Sequence, residues 1–240
     1  MRKTGIAFLL FLTIPFLFPG KSVDAEEEEG HHHEMGVTES MASHDMQAHL
    51  GAHAHMEAHL KWTAPRPSTV VDQQRAEAIV KTLRTALEKY KDVRIAEQDG
   101  FKPFHPEIAQ PMYHFTNYWK GLKAAFRFDP TQPTSLLYKK TADGYALMGA
   151  MYTAPKRMAE EKLDERVPLS VARWHAHVNL CFPPRGTDPK TVDWTQFGFR
   201  GGIATEDACT EAGGRFWPQV FGWMLHVYPF EVTPEKIWAQ

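Results

Sequence analysis

Residues 170–182 read SVARWHAHVNLCF. Apolar side chains alternate there with histidine, asparagine and cysteine. A period of two is the signature of a β-strand, whose successive side chains point to opposite faces. Trp174, Ala176, Val178 and Leu180 fall on one face, and His175, His177, Asn179 and Cys181 on the other. The first set predicts core. The second predicts either a metal or catalytic face, or a polar face satisfied by hydrogen bonds.

The neighbouring segments extend the pattern. QVFGWMLHVYPFE (219–231) reads as a last strand, with Met224, His226 and Tyr228 on one face and Trp223, Leu225 and Val227 on the other. TSLLYKKTADGYALMGAMYTA (134–154) gives two strand runs around ADG, a hairpin. PMYHFTN is a further strand run, followed by a short helix over 117–128. Upstream, Ile79, Val80, Leu83, Leu87 and Tyr90 recur at helical spacing, with Asp72 as N-cap, Gly100 as stop and Pro103 beyond it. Short helices are predicted over 156–166 and after Thr205. The expected fold is α+β: an N-terminal amphipathic helix packed on a mainly antiparallel sheet, which could curl into a barrel.

The first 25 residues carry Arg2 and Lys3, a short apolar run from Ile6 to Phe18, and the small-residue site VDA. This is the anatomy of a cleaved signal peptide, which predicts a periplasmic or extracellular protein. No later segment is apolar and long enough to span a membrane. A net charge of −2 leaves no basic footprint for nucleic acid. In an oxidising compartment Cys181 and Cys209 are expected to pair, which contributes about 3–4 kcal/mol in the chain-entropy model.

Residues 26–66 differ from the rest. Eight of the thirteen histidines fall here (His31, His32, His33, His44, His49, His53, His55 and His59), interleaved with Met35, Met41, Met46 and Met56. With almost no aromatic or β-branched residues, the stretch is expected to be disordered, leaving residues 67–240 as the single globular domain. Imidazole with thioether suits copper, and imidazole alone also suits zinc. A flexible segment of this kind would bind several ions weakly.

Outside the tail, His175 and His177 form an H-x-H pair whose Cα atoms on a strand lie about 6–7 Å apart, close enough to share one ion. His226 from another strand would complete a three-imidazole site, with His114 as a fourth ligand. Asn179 could orient a ligand ring. His105, between Phe104 and Pro106, reads as structural or exposed. Met148 and Met151 read as packing.

Several stretches together resemble an uncharacterised group of exported bacterial proteins: YKDVRIAEQDGFKPF, PMYHFTNYWKGLKAAFRFDPTQPTSLLYKKTADGYALMGAMYTAP, LDERVPLSVARWHAHVNLC and GGRFWPQVFGWMLHVYPFE. The shared features are a Y-H-[FY]-x-N turn, D-P-x-x-P-x-x-L-L-Y before a hairpin, and strand histidines near aromatics. The resemblance implies one α+β domain, with His114 and His177 where the group's histidines fall. It brings no activity.

Three functions remain open. The first is an exported metal-handling protein, copper preferred and zinc the alternative, with a capture tail and a strand-borne histidine site. The second is a cupin-like metal-dependent oxidoreductase whose pocket is lined by Trp174, Trp223, Tyr113 and Tyr228. The third is a structural domain whose histidines only make buried hydrogen bonds.

Overall fold

The computed structural model describes residues 58–106 and 110–240. Segments 1–57 and 107–109, and with them the signal peptide and the tail residues from His31 to Met56, lie outside the described residues.

The longest helix, α1 (Val70–Leu87), buries Ala76, Ile79, Val80, Leu83 and Leu87, one stripe at helical spacing. Its N-cap is Thr69 rather than Asp72. The Thr69 hydroxyl accepts from the Asp72 N–H, and Asp72 Oδ2 accepts from the Thr69 N–H, a reciprocal capping box. The Arg66 guanidinium donates to both Asp72 oxygens and to Asp164, and holds the Asp72 carboxyl well below the usual carboxylate range.

The helical run does not continue unbroken to Gly100. It tightens into a 3₁₀ turn (Glu88–Lys91), and Asp92 then leaves helical geometry and caps α2 (Val93–Gln98). The Asp92 carboxylate accepts from the Arg94 N–H, a local bond that competes with helix continuation. Gly100, at φ 85°, ends α2 as expected.

Among the described residues seven strands follow the order β1-β6-β8-β5-β4-β3-β2: β1 (Leu60–Trp62), β2 (Lys102–Pro103), β3 (Tyr113–Thr116), β4 (Ser135–Thr141), β5 (Gly144–Ala154), β6 (His175–Phe182) and β8 (Trp223–Val227), and an eighth, β7 (Arg215–Gln219), pairs with β6 off this path. Each pairing is antiparallel. Between the strands lie α3 (Tyr118–Ala124), α4 (Glu160–Arg166) and α5 (Glu206–Glu211), and α6 (Pro234–Ile237) closes the chain. The fold is α+β, and the sheet is open, ending at β1 and β2 rather than closing into a barrel.

β1 corrects the expected boundary. Leu60, Lys61 and Trp62 belong to the stretch read as disordered, yet they pair with His177, Ala176 and His175 of β6. The ladder supplies what the composition lacked: backbone hydrogen bonds and a buried position for Thr63.

The main core lies between α1 and one sheet face, with Phe115, Leu136, Tyr138, Tyr152, Trp174 and Leu225 among its buried members. Cys181 and Cys209 are joined, which ties the end of β6 to α5.

A histidine face on a curled sheet

Strand register decides which side chains share the face opposite that core. Met151 pairs with His226, Met224 with His175, and His114 with Leu137, which in turn pairs with Gly149. Paired residues point the same way. His114, His175, His177 and His226 therefore stand together, beside a second buried cluster of Leu137, Met151 and Met224 flanked by Met112 and Tyr228.

The curl of the sheet brings them into contact. β3 and β8 are separated by β4 and β5, about 14 Å across a flat sheet. Yet His114 Nε2 lies 3.3 Å from His226 Nε2. The histidine face is thus the concave one. The rings of His175 and His226 have centroids 5.1 Å apart, and those of His175 and His177 are 5.8 Å apart. Gly149 permits the tight approach: a Cβ there would meet the Val227 carbonyl oxygen at 2.3 Å.

All four imidazoles are kept neutral. Burial is the first cause in each case, and the neighbouring histidines add to it for three of them. His226 is pushed down to about 3, with His175, His114 and His177 contributing. His175 and His177 are pushed down to about 4. His114 is lowered by burial, against a hydrogen bond to the Met112 backbone. Neutral rings present lone pairs, the form in which imidazole binds a metal.

The hydrogen bonds of the cluster are incomplete. Nδ1 of His175 and Nδ1 of His226 are buried without partners. A buried polar nitrogen left unpaired costs about 1–3 kcal/mol. As the rings stand, no group of three or more His, Cys, Asp or Glu side chains among the described residues is arranged to hold an ion. Closing three imidazoles on one point requires ring rotations within the cluster.

Asn179 does not support an imidazole. It adopts φ 55°, a left-handed conformation that asparagine tolerates, and this breaks the alternation of β6. Its amide donates to the Ala58 carbonyl and so holds the entry of β1. Cys181, beyond that break, is turned into the disulfide. His59, expected as a tail ligand, is 2% exposed and donates from Nε2 to the Gly201 carbonyl at 2.7 Å. Its Nδ1 is buried without a partner. His105 takes φ 50° and packs edge-on against Phe104.

Of the aromatics expected to line a pocket, Trp174, Trp223 and Tyr113 are in the main core on the opposite face. Only Tyr228 borders the histidines, its ring centroid 6.4 Å from that of His226. The aromatics found around His177 are Phe199, edge-on at 5.2 Å, and Phe221 at 6.4 Å, stacked on each other at 6.1 Å. Both are partly exposed, so they form a rim where the cluster meets solvent. A groove of about 590 Å³ lies elsewhere, bordered by Lys89, Tyr90, Asp99 and Lys120, and none of these four is one of the histidines.

The sequence puts Met224 on the face of His226, but neither Met112 nor Met151, which reads as packing. The i, i+2 spacing of Met224 and His226 was a readable signal. Met151 joins them only through the β5–β8 register. No family model, curated protein or solved structure matches this chain.

Proposed function

We propose that this is an exported metal-handling protein that holds one copper ion on His114, His175, His177 and His226, with zinc as the competing ion. The observation that carries the reading is the 3.3 Å separation of the His114 and His226 Nε2 atoms on a half-buried concave face. Two imidazole nitrogens bound to one tetrahedral ion at about 2.0–2.1 Å stand about 3.3–3.4 Å apart. The unpartnered Nδ1 of His175 supports it, because an ion or its bound water would satisfy that nitrogen.

Copper is preferred because soft thioethers border the imidazoles. Met151 and Met224 are buried in the cluster beside them, and thioether selects copper over the harder divalent ions. The His/Met-rich segment enters the fold through Ala58 and β1, alongside the strand that bears His175 and His177. A weak-binding capture segment would thereby be tethered next to a tighter site.

The test is equilibrium dialysis against Cu(I), Cu(II) and Zn(II) of the full chain with histidines 31–55 changed to serine. One equivalent of copper should be retained, and His226→Ala or His177→Ala should release it. A chain that stays empty with every ion would sink the folded site and leave metal binding to the tail.

A further inference from the structure

The helix α3 reverses the usual amphipathic arrangement. A surface helix normally turns its apolar stripe inward. In α3 no residue is buried. Tyr118 is 64% exposed, Trp119 75%, Leu122 53% and, in the turn that continues it, Phe126 85%. Trp119, Leu122 and Phe126 follow at i, i+3 and i+7, one side of a helix. The Arg127 N–H still bonds the Lys123 carbonyl, so helical geometry persists through Phe126.

The orientation is held from the other side. Asn117 caps the helix by accepting from the Lys120 N–H, and its own amide donates to the Asp99 carbonyl. A Cβ on Gly121 would stand 3.2 Å from the Thr134 methyl, so the small side of the helix is the side laid on the body. Arg166 donates to the Ala124 carbonyl at the C-terminal end, and Phe128 packs edge-on against Tyr152. The apolar residues are thus presented outward by a fixed helix.

Their charged neighbours are mostly cations, with Asp129, next in the chain, facing Arg127 and Lys120. Between Asn117 and Phe128 the chain carries Lys120, Lys123 and Arg127 and no acidic residue. Lys120 is engaged with Gln132 and the Phe101 ring. Lys123 and Arg127 are exposed beside the apolar stripe.

We infer that this face docks on a lipid bilayer surface bearing anionic headgroups. Tryptophan and tyrosine favour the membrane–water interface, and flanking cations favour anionic lipid. A ridge about two turns long is small beside the roughly 800 Å² that each partner gives to a stable protein interface. The inference is independent of the metal reading.

The experiment is flotation of the full chain with vesicles of phosphatidylcholine, alone or containing phosphatidylglycerol. The chain should float with the anionic vesicles. Trp119→Ala with Phe126→Ala should reduce partitioning by at least about tenfold, with unchanged circular dichroism because both side chains already face solvent. Lys123→Gln with Arg127→Gln should abolish the preference for phosphatidylglycerol. Failure of the unaltered chain to float, or equal flotation of the apolar variant, overturns the inference. So does a self-association, seen by sedimentation without lipid, that the apolar variant abolishes, because the face would then belong to a second copy of the chain. Phe126→Ala alone, placed beyond the end of α3, provides the same readout if the double variant does not fold.

Discussion

The same strands build both faces of the sheet, yet the two faces are governed by different physics. Toward α1, Trp174, Tyr138, Leu136 and Leu225 are buried in one continuous apolar cluster. On the concave side, neighbours of those same residues place four imidazoles around a small patch of leucine and methionine. The first face is held mainly by apolar area, with the indole nitrogens of Trp174 and Trp223 buried there without partners. The second face buries polar nitrogens that have no complete set of partners. A fold maintains such a face at a cost, and the metal site proposed above is what that cost would serve.

The comparison breaks most sharply by truncating one side chain from each face. Trp174→Ala removes a fully buried core ring and should lower unfolding free energy by about 3–5 kcal/mol in urea titration. His226→Leu, in metal-free protein, removes an unpaired Nδ1 together with the Nε2 that pairs with His114, and should cost no more than about 1–2 kcal/mol. A loss from His226→Leu as large as that from Trp174→Ala would mean the histidines are core.

Acid sharpens the contrast. The folded-state values of His175, His177 and His226, about 4, 4 and 3, lie below the ordinary imidazole value. The unfolded chain therefore binds more protons than the folded one between the two values. The stability these groups contribute is complete above the ordinary imidazole range, and it is lost as pH falls toward the folded values. In metal-free protein the loss between pH 7 and pH 5 should be on the order of 1–2 kcal/mol for each histidine. His226→Leu should remove one such share, whereas Trp174→Ala should leave the pH slope unchanged.

The smallest effect expected is at the cap of α1. Thr69→Ala removes the hydroxyl that accepts from the Asp72 N–H and should cost about 1 kcal/mol in thermal unfolding. Since α1 covers only the core face, the histidine response between pH 7 and pH 5 should not move.

Much of this was legible from spacing. The period of two in WHAHV and WMLHV placed His175, His177 and His226 opposite Trp174, Trp223 and Leu225, and the apolar stripe of α1 identified its buried side. The ADG hairpin and the pairing of Cys181 with Cys209 also emerged as read. Local chemistry was harder to rank. Asp72 and Thr69 both suit a cap, and only the geometry assigns the hydroxyl to that role and the carboxylate to the third helical position. Asn179 looked like one more residue on the histidine face until its left-handed backbone ended the alternation.

By itself, then, the sequence determined the α+β class, the strand faces and the candidate ligands, because side-chain periodicity is a property of the local backbone. Only the tertiary structure decided that His114 meets His226 across two intervening strands, that Met151 stands beside them, and that His59 is drawn into the fold by β1. Those three facts depend on sheet curvature, strand register and edge pairing. Each is set by contacts between residues distant in sequence, and no local spacing encodes it.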